Sequence, residues 1–282
     1  MLRGHAHFTG ILGWPLEHTL SPLIHNAAFR RNGLDWVYLS FPVPPPGLAA
    51  AVGGLRALRC TGANVTMPHK ETVMSLLDEV SGDAASIGAV NTIQLVGDAL
   101  IGHNTDIDGF RDFLTDDAGL EMAGRNAVIL GAGGAARAVV RALDDLGATH
   151  LTVVVRAIDR GRALAPLATR ATLDVVEWSG AEAGVEGADI VINATPLGMR
   201  GEQPLERAPW RENHCAIDLV YHPHVTPFLE RAQAGGARTW GGLGMLIHQA
   251  AASFRIWTGQ DPPLEAMSAA AVRQLAPMPE GR

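Results

Sequence analysis

The sequence predicts a two-domain α/β protein whose second half is built on a parallel sheet. Three observations carry this. The chain has 282 residues, long for one hydrophobic core and comfortable for two. Short β-rich runs alternate with helical stretches, and thirty-two glycines and seventeen prolines supply the turns between them. A continuous apolar run, Ala127 to Leu130, leads through a glycine-rich turn into a helix, as a strand buried on both faces does.

The elements follow in order. Phe8 to Leu12 is the first predicted strand. Ser21-Pro22 opens a helix towards Arg31, with Ser21 as N-cap and Pro22 at a first-turn position. Trp36 to Phe41 is β-rich, and Pro42 to Gly47 bends the chain before a helix over Leu48 to Leu58. Ala63 to Val65 is a short strand, followed by a helix from about His69 to Leu77. Asn91 to Val96 and Ala99 to Gly102 flank Gly97-Asp98, a hairpin turn signal. A helix from Asp106 to about Leu114 leads into the second half. There Ala127 to Leu130, Leu151 to Val155, Ile190 to Asn193 and Ala216 to Val220 are strands in a βαβ rhythm, with a helix over Ala135 to Leu146. The last helix, Leu243 to Trp257, is expected to pack back on the first domain. That makes the second domain (107–240) an insertion between residues 1–106 and 241–282.

Composition excludes several classes. Hydrophobic residues make up 47% and charged residues 18%, so the chain is not disordered. The net charge is −7 with no basic stretch, so no nucleic-acid partner is expected. The N-terminal residues carry no signal-peptide pattern and no run is long enough to span a bilayer, which leads to a cytoplasmic expectation. Cys60 and Cys215 lack metal-ligand spacing and are read as two reduced, buried thiols. No metal is expected.

Gly131-Ala132-Gly133-Gly134-Ala135-Ala136 follows a strand and opens a helix in the G-x-G-x-x-A pattern of dinucleotide-binding Rossmann folds. The first glycine allows a tight turn and the second lets the backbone approach a pyrophosphate. Ala136 lets helix and strand pack closely, and the helix N-terminus offers N–H groups to phosphate. The next strand ends Val155-Arg156-Ala157, where folds that bind NAD usually carry an acidic residue. A guanidinium there suits a 2′-phosphate, so the predicted cofactor is NADP.

In the first half, polar clusters fall at apparent strand ends: Thr19 to Pro22, Asn64 to Lys70, Asn91-Thr92 and Asn104 to Asp106. Singly, each has a structural explanation, such as a cap or a hairpin entry. Together they offer hydroxyls, amides, one cation and one carboxylate, a set that suits a small polyol acid.

Several of these stretches carry a family resemblance. Gly13 to Pro22 with His25-Asn26, NVTMPHK (64–70), IGAVNT (87–92), Asn104-Thr105-Asp106, Asn193 to Met199, Asp218 to Tyr221 and GMLIHQ (244–249) resemble, in order, the motifs of shikimate dehydrogenases. The resemblance runs from about Phe8 to Gly259 and implies an N-terminal substrate domain, a Rossmann domain and a cleft between them. It implies reversible, NADP-dependent reduction of 3-dehydroshikimate to shikimate, a step of aromatic amino acid biosynthesis, by a monomer or homodimer. By the same resemblance Lys70 and Asp106 are catalytic. Thr19, Ser21, Asn64, Thr66, Asn91, Tyr221 and Gln249 bind substrate, and Gly131, Ala132, Gly133, Gly134, Ala135, Arg156, Leu219 and Gly242 bind cofactor. His18, His69 and His248 lie within the motifs and are read as structural.

Two departures bear on specificity. Thr19 stands where the family usually has serine, adding a methyl group. Val155-Arg156-Ala157 keeps the arginine of an Asn-Arg-Thr motif but loses both polar neighbours. Quinate or aminoshikimate dehydrogenases are the alternatives within enzymes, and a non-catalytic NADP-binding sensor is the alternative outside them. The presence of both Lys70 and Asp106 speaks against the sensor.

Overall fold

The computed structural model describes residues 6–275. The chain divides into two compact units, one running to Thr105 and resuming at Ile247, the other spanning Asp106–Leu246. The second boundary falls inside a single helix, so one element serves both units.

The first unit is built on β1 (His7–Gly13), α1 (Ser21–Arg31), β2 (Trp36–Pro42), α2 (Leu48–Ala57), β3 (Gly62–Val65), β4 (Glu79–Val80), α3 (Gly82–Ile87), β5 (Thr92–Val96) and β6 (Ala99–His103). Its sheet has the order β2-β1-β3-β5-β6-β4. β1 pairs in parallel with β2 and β3, whereas β5 runs antiparallel to β3 and forms a hairpin with β6 in the register Val96↔Ala99. This reversal matters for the site. The C-terminal ends of β1, β3 and β6 and the start of β5 meet at one sheet edge, where all four polar clusters lie. Leu12, Val52, Leu55, Ala63, Val65, Ile93 and Leu100 form a core beneath.

The second unit contains α4 (Asp106–Asp112), β7 (Asn126–Leu130), α5 (Gly134–Asp145), β8 (His150–Val155), α6 (Ile158–Arg162), β9 (Thr172–Glu177), α7 (Ala181–Glu186), β10 (Ile190–Asn193), β11 (Cys215–Asp218), α8 (Pro227–Ala234) and β12 (Arg238–Trp240). Its sheet is wholly parallel, in the order β12-β11-β10-β7-β8-β9. Strand order reverses at β7, and in open α/β sheets that crevice is where ligands bind. In the last turn of α5, the buried Asp144 carboxylate accepts from the backbone N–H of Thr169, Arg170 and Ala171 at 3.0, 2.8 and 2.7 Å. Burial opposes its charge, but these bonds hold its pKa below the ordinary value, so it pins the turn before β9 as an anion. The chain ends with α9 (Leu243–Thr258) and α10 (Leu264–Leu275).

The structure corrects three local expectations. Ser21 is the first residue of α1, and Leu20 occupies the N-cap with no side-chain hydrogen bond. The N–H of Ser21 instead donates to Thr19 Oγ1 at 3.3 Å, so the Ser21 hydroxyl is not spent on capping. The stretch after His69 forms only a 3₁₀ turn, Thr72–Leu76, because Asp78 is drawn to the hairpin: its N–H donates to the Leu100 carbonyl and its carboxylate accepts from Leu100 N. α4 ends at Asp112 and passes into a wider π-helical turn, Phe113–Asp117. Cys60 and Cys215 are free and buried, and burial pushes the Cys60 thiol up to about 11.

Candidate functional site

At the polar edge of the first unit, Asn64 and Asn91 sit side by side. Asn64 is all but buried in β3, and Asn91 immediately precedes β5. Asn64 Nδ2 donates to the Asn91 carbonyl at 3.2 Å and to the hydroxyls of Thr92 and Ser253, both at 3.0 Å. Asn91 Oδ1 accepts from the N–H of Thr105 at 2.8 Å, and Asn91 Nδ2 lies 3.4 Å from Gln249 Oε1. Gln249 thus reaches this edge from α9. Lys70, half-buried, is held in the turn after β3, where its carbonyl accepts from Val90 N at 2.8 Å, one residue before Asn91. Thr66 is half-buried at the end of β3, and Thr19 and Ser21 lie after β1. Asp106 is buried at the start of α4, joined directly to the hydrogen-bonded Thr105. His69 is structural, as expected, donating from Nε2 to the Val43 carbonyl at 2.7 Å.

Four residues of this edge had no assigned role from sequence: Tyr38, Thr92, Thr105 and Ser253. The Tyr38 hydroxyl donates to Asn64 Oδ1 at 2.7 Å, and the Ser253 hydroxyl lies 2.8 Å from Thr92 Oγ1 and 3.1 Å from Thr105 Oγ1. A signal existed for Ser253, which stands four residues after Gln249 and so on the same helical face. For Tyr38 the signal was a phenol in a strand, since a buried tyrosine hydroxyl usually finds a partner. Burial raises the Tyr38 pKa well above its ordinary value, so the group is a neutral donor.

In the second unit, Gly131 directly follows β7 with φ +105°, and a Cβ there would lie 2.9 Å from the Thr195 methyl. That backbone and that approach both require glycine. Gly133 differs. It is the N-cap of α5, and a Cβ on it would meet nothing within 4 Å, so protein packing does not explain this glycine. Ala132, Gly134 and Ala135 are half-buried around it, while Ala136 is fully buried against the sheet. Arg156, directly after β8, is exposed and makes no ion pair among the described residues. Nearby Arg162 reaches Asp159 at 3.5 Å.

Leu219 follows β11 half-buried, and Tyr221 is half-buried two residues on. Gly242 packs against Leu219 so closely that a Cβ would come within 2.2 Å of its carbonyl oxygen, which alone accounts for glycine there. Asp218, also buried, accepts from Asn193 Nδ2 at 2.9 Å, Val220 N at 3.0 Å and Thr226 Oγ1 at 2.5 Å. Burial outweighs these bonds and raises its pKa to about 6. Among the described residues no group of three metal-ligating side chains is placed to hold a metal, and no helix is long and apolar enough to cross a membrane.

Comparison with known proteins agrees with this geometry. Residues 11–93 match a family model described as the shikimate dehydrogenase substrate binding domain. Residues 114–208 match one described as shikimate/quinate 5-dehydrogenase, and residues 242–272 match the shikimate 5′-dehydrogenase C-terminal domain. A shikimate dehydrogenase (NADP(+)) of Methanothermobacter thermautotrophicus is 44% identical over 98% of this chain and 99% of its own. A crystal structure of a shikimate dehydrogenase in complex with NADP+ superposes with a TM-score of 0.89 at 37% identity, over 98% of each chain. The Thermus thermophilus enzyme, solved with NADP(H) and shikimate, gives 0.85 at 38% identity, over 95% of this chain and 99% of its own. With a parallel sheet reversing at a glycine-rich turn, an edge of amides and hydroxyls, and full-length relatives named shikimate dehydrogenase at 37–44% identity, the chain belongs to the shikimate dehydrogenase family.

Proposed function

We propose that this chain is an NADP-dependent shikimate dehydrogenase, reversibly reducing 3-dehydroshikimate to shikimate in aromatic amino acid biosynthesis. The observation that carries the reading is the polar edge of the first unit. Its two amides and several hydroxyls match a small ring bearing several hydroxyls, and Lys70 lies on the same edge. In this reading the unit ending at Thr105 and resuming at Ile247 holds substrate, and the Asp106–Leu246 unit holds NADP. The protein works as a monomer or homodimer in the cytoplasm, a compartment that keeps its two free thiols reduced.

The residues present fit the cofactor. Gly133 leaves open space where a pyrophosphate approaches the N-terminus of α5. Arg156 offers an exposed guanidinium, without an ion-pair partner among the described residues, where the 2′-phosphate would sit. Bound NADP(H) supplies or accepts the hydride at the ring carbon. The Lys70 ammonium donates a proton to the ring oxygen as the ketone is reduced, and its amine takes that proton back in oxidation. Asp106 holds the same hydroxyl in the orientation the transfer needs. Thr19, Ser21 and Tyr221 bind the substrate carboxylate, while Asn64, Thr66, Asn91 and Gln249 bind the ring hydroxyls.

The test is NADP+ reduction with shikimate, quinate and aminoshikimate side by side, each repeated with NAD+. Highest kcat/KM for shikimate with NADP+ is expected; preference for either alternative ring overturns the substrate assignment. Arg156→Ala should weaken NADP+ by about 10- to 150-fold, the loss of a charge-assisted pair of ~1.5–3 kcal/mol, and leave NAD+ nearly unchanged. Equal, small losses for both cofactors would place the 2′-phosphate elsewhere.

A further inference from the structure

The hydrogen bonds around Asn64 determine which end of its amide can meet a ligand. The Asn91 main-chain carbonyl, 3.2 Å from one amide atom of Asn64, can only accept, so that atom is the NH2 group. The same NH2 faces the hydroxyls of Thr92 and Ser253, each at 3.0 Å. Two N–H bonds meet three acceptors inside the protein, and none is left to turn outward. The opposite atom, Oδ1, accepts from the Tyr38 hydroxyl at 2.7 Å. A carbonyl oxygen takes two hydrogen bonds. The imidazole of His25, stacked on Tyr38 with ring centroids 4.4 Å apart, reaches hydrogen-bond geometry with neither nitrogen and does not fill the second position. Asn64 retains 5% of its surface, and the open capacity of its amide is one lone pair on Oδ1.

The neighbours that enforce this are fixed in turn. Tyr38 is packed between His25 and Trp257, whose ring centroids lie 4.4 and 6.1 Å from its own, and it is 1% exposed. The Ser253 hydroxyl also lies 3.0 Å from the Gln249 carbonyl one turn earlier in α9. It therefore ties Asn64 and Thr92 to the helix that carries Gln249.

We propose that Tyr38 and Ser253 are positioning residues for substrate specificity. They lock the Asn64 amide so that it meets the substrate only as an acceptor, and the site thereby demands at that ring position a hydroxyl that donates. Fluoro, keto or ether substituents, which only accept, are selected against there. This rests on the functional reading above, in which Asn64 contacts a ring hydroxyl of shikimate.

The experiment is steady-state kinetics of the wild type, Tyr38→Phe, Ser253→Ala and Ser253→Thr. The substrates are shikimate and the two analogues in which one non-reacting ring hydroxyl is replaced by fluorine. The wild type should reject one fluoro analogue by tenfold or more in kcat/KM relative to the other, since it sets two acceptors facing each other. Tyr38→Phe should raise KM for shikimate about 3- to 10-fold, keep kcat and KM for NADP+ within about twofold, and shrink that discrimination by a similar factor. Ser253→Ala should shift the same parameters in the same direction, and Ser253→Thr, which keeps the hydroxyl, should restore them. A general weakening of the fold would instead move kcat and both KM values together, and would overturn a positioning role. A wild type active on shikimate that tolerates both fluoro analogues equally overturns the inference alone. A wild type inactive on shikimate overturns the functional reading, and the inference with it.

Discussion

Lys70→Ala is expected to lower kcat by about 10²–10⁴-fold while leaving KM for shikimate within a modest factor, the range typical of lost general acid–base catalysis. Ketone reduction places negative charge on the ring oxygen, which must receive a proton, and the reverse reaction must remove it. One group can serve both directions if it stands at that oxygen. Lys70 is the only cation in the substrate-side motifs, and its turn is tied to Val90 beside Asn91. Stopped-flow or steady-state turnover with saturating NADP+ decides the matter. Near-normal kcat in Lys70→Ala would make the lysine a binding residue and end this mechanism. Asp106→Asn should also be damaging, with a larger share of the loss in KM, because in the proposed mechanism its carboxylate orients the substrate hydroxyl.

His25→Phe is expected to remove a large part of the protein's acid lability. The imidazole is fully buried against Phe29, Tyr38 and Trp257, with no charged group facing it from any of these, and desolvation holds its pKa down to about 3. The nearby Asn64 side chain works the other way, but no ring nitrogen reaches hydrogen-bond geometry with it and burial is not offset. Above about pH 6.5 the ring is neutral in both folded and unfolded chains and contributes no pH dependence. Below it the unfolded chain gains a proton that the folded protein refuses. Stability therefore falls as pH drops from about 6.5 towards 3, by up to ~1.4 kcal/mol per pH unit from this group. Over that window the sum approaches ~4–5 kcal/mol, comparable with the whole stability of a small domain. Urea unfolding of both proteins at pH 7.0, 5.5 and 4.5 measures the difference. Parallel losses in the two would show that His25 is not the titrating group.

Much of the fold was legible where a segment's own pattern decides its structure. The apolar run before Gly131, the Gly97-Asp98 hairpin and the amphipathic α9 all read correctly because period and turn chemistry are local. The misses have a common origin in distant partners. β4 has two residues and exists only by pairing with β6, and the helix expected after His69 gives way to the same pull. Ser21 looked like a cap because serine at such a boundary usually is one, but Thr19 meets its N–H instead. The candidate site divides in the same way. Asn64, Asn91, Lys70 and Gln249 lie in recognisable motifs, whereas the bonds that orient the amides come from Tyr38 and Ser253, and no short window of sequence announces them.

The bond between Asn64 and Ser253 spans 189 positions of chain, and that from Trp257 Nε1 to the Ile93 carbonyl spans 164. On the ribosome, Asn64 therefore emerges long before the helix that satisfies its amide. At about 5–20 residues per second, the nascent first unit waits on the order of ten to forty seconds with an open flank. The intervening Asp106–Leu246 unit, whose parallel sheet is internally complete, can close during that interval. Translation thus imposes an order on this molecule in which the unit begun first is finished last.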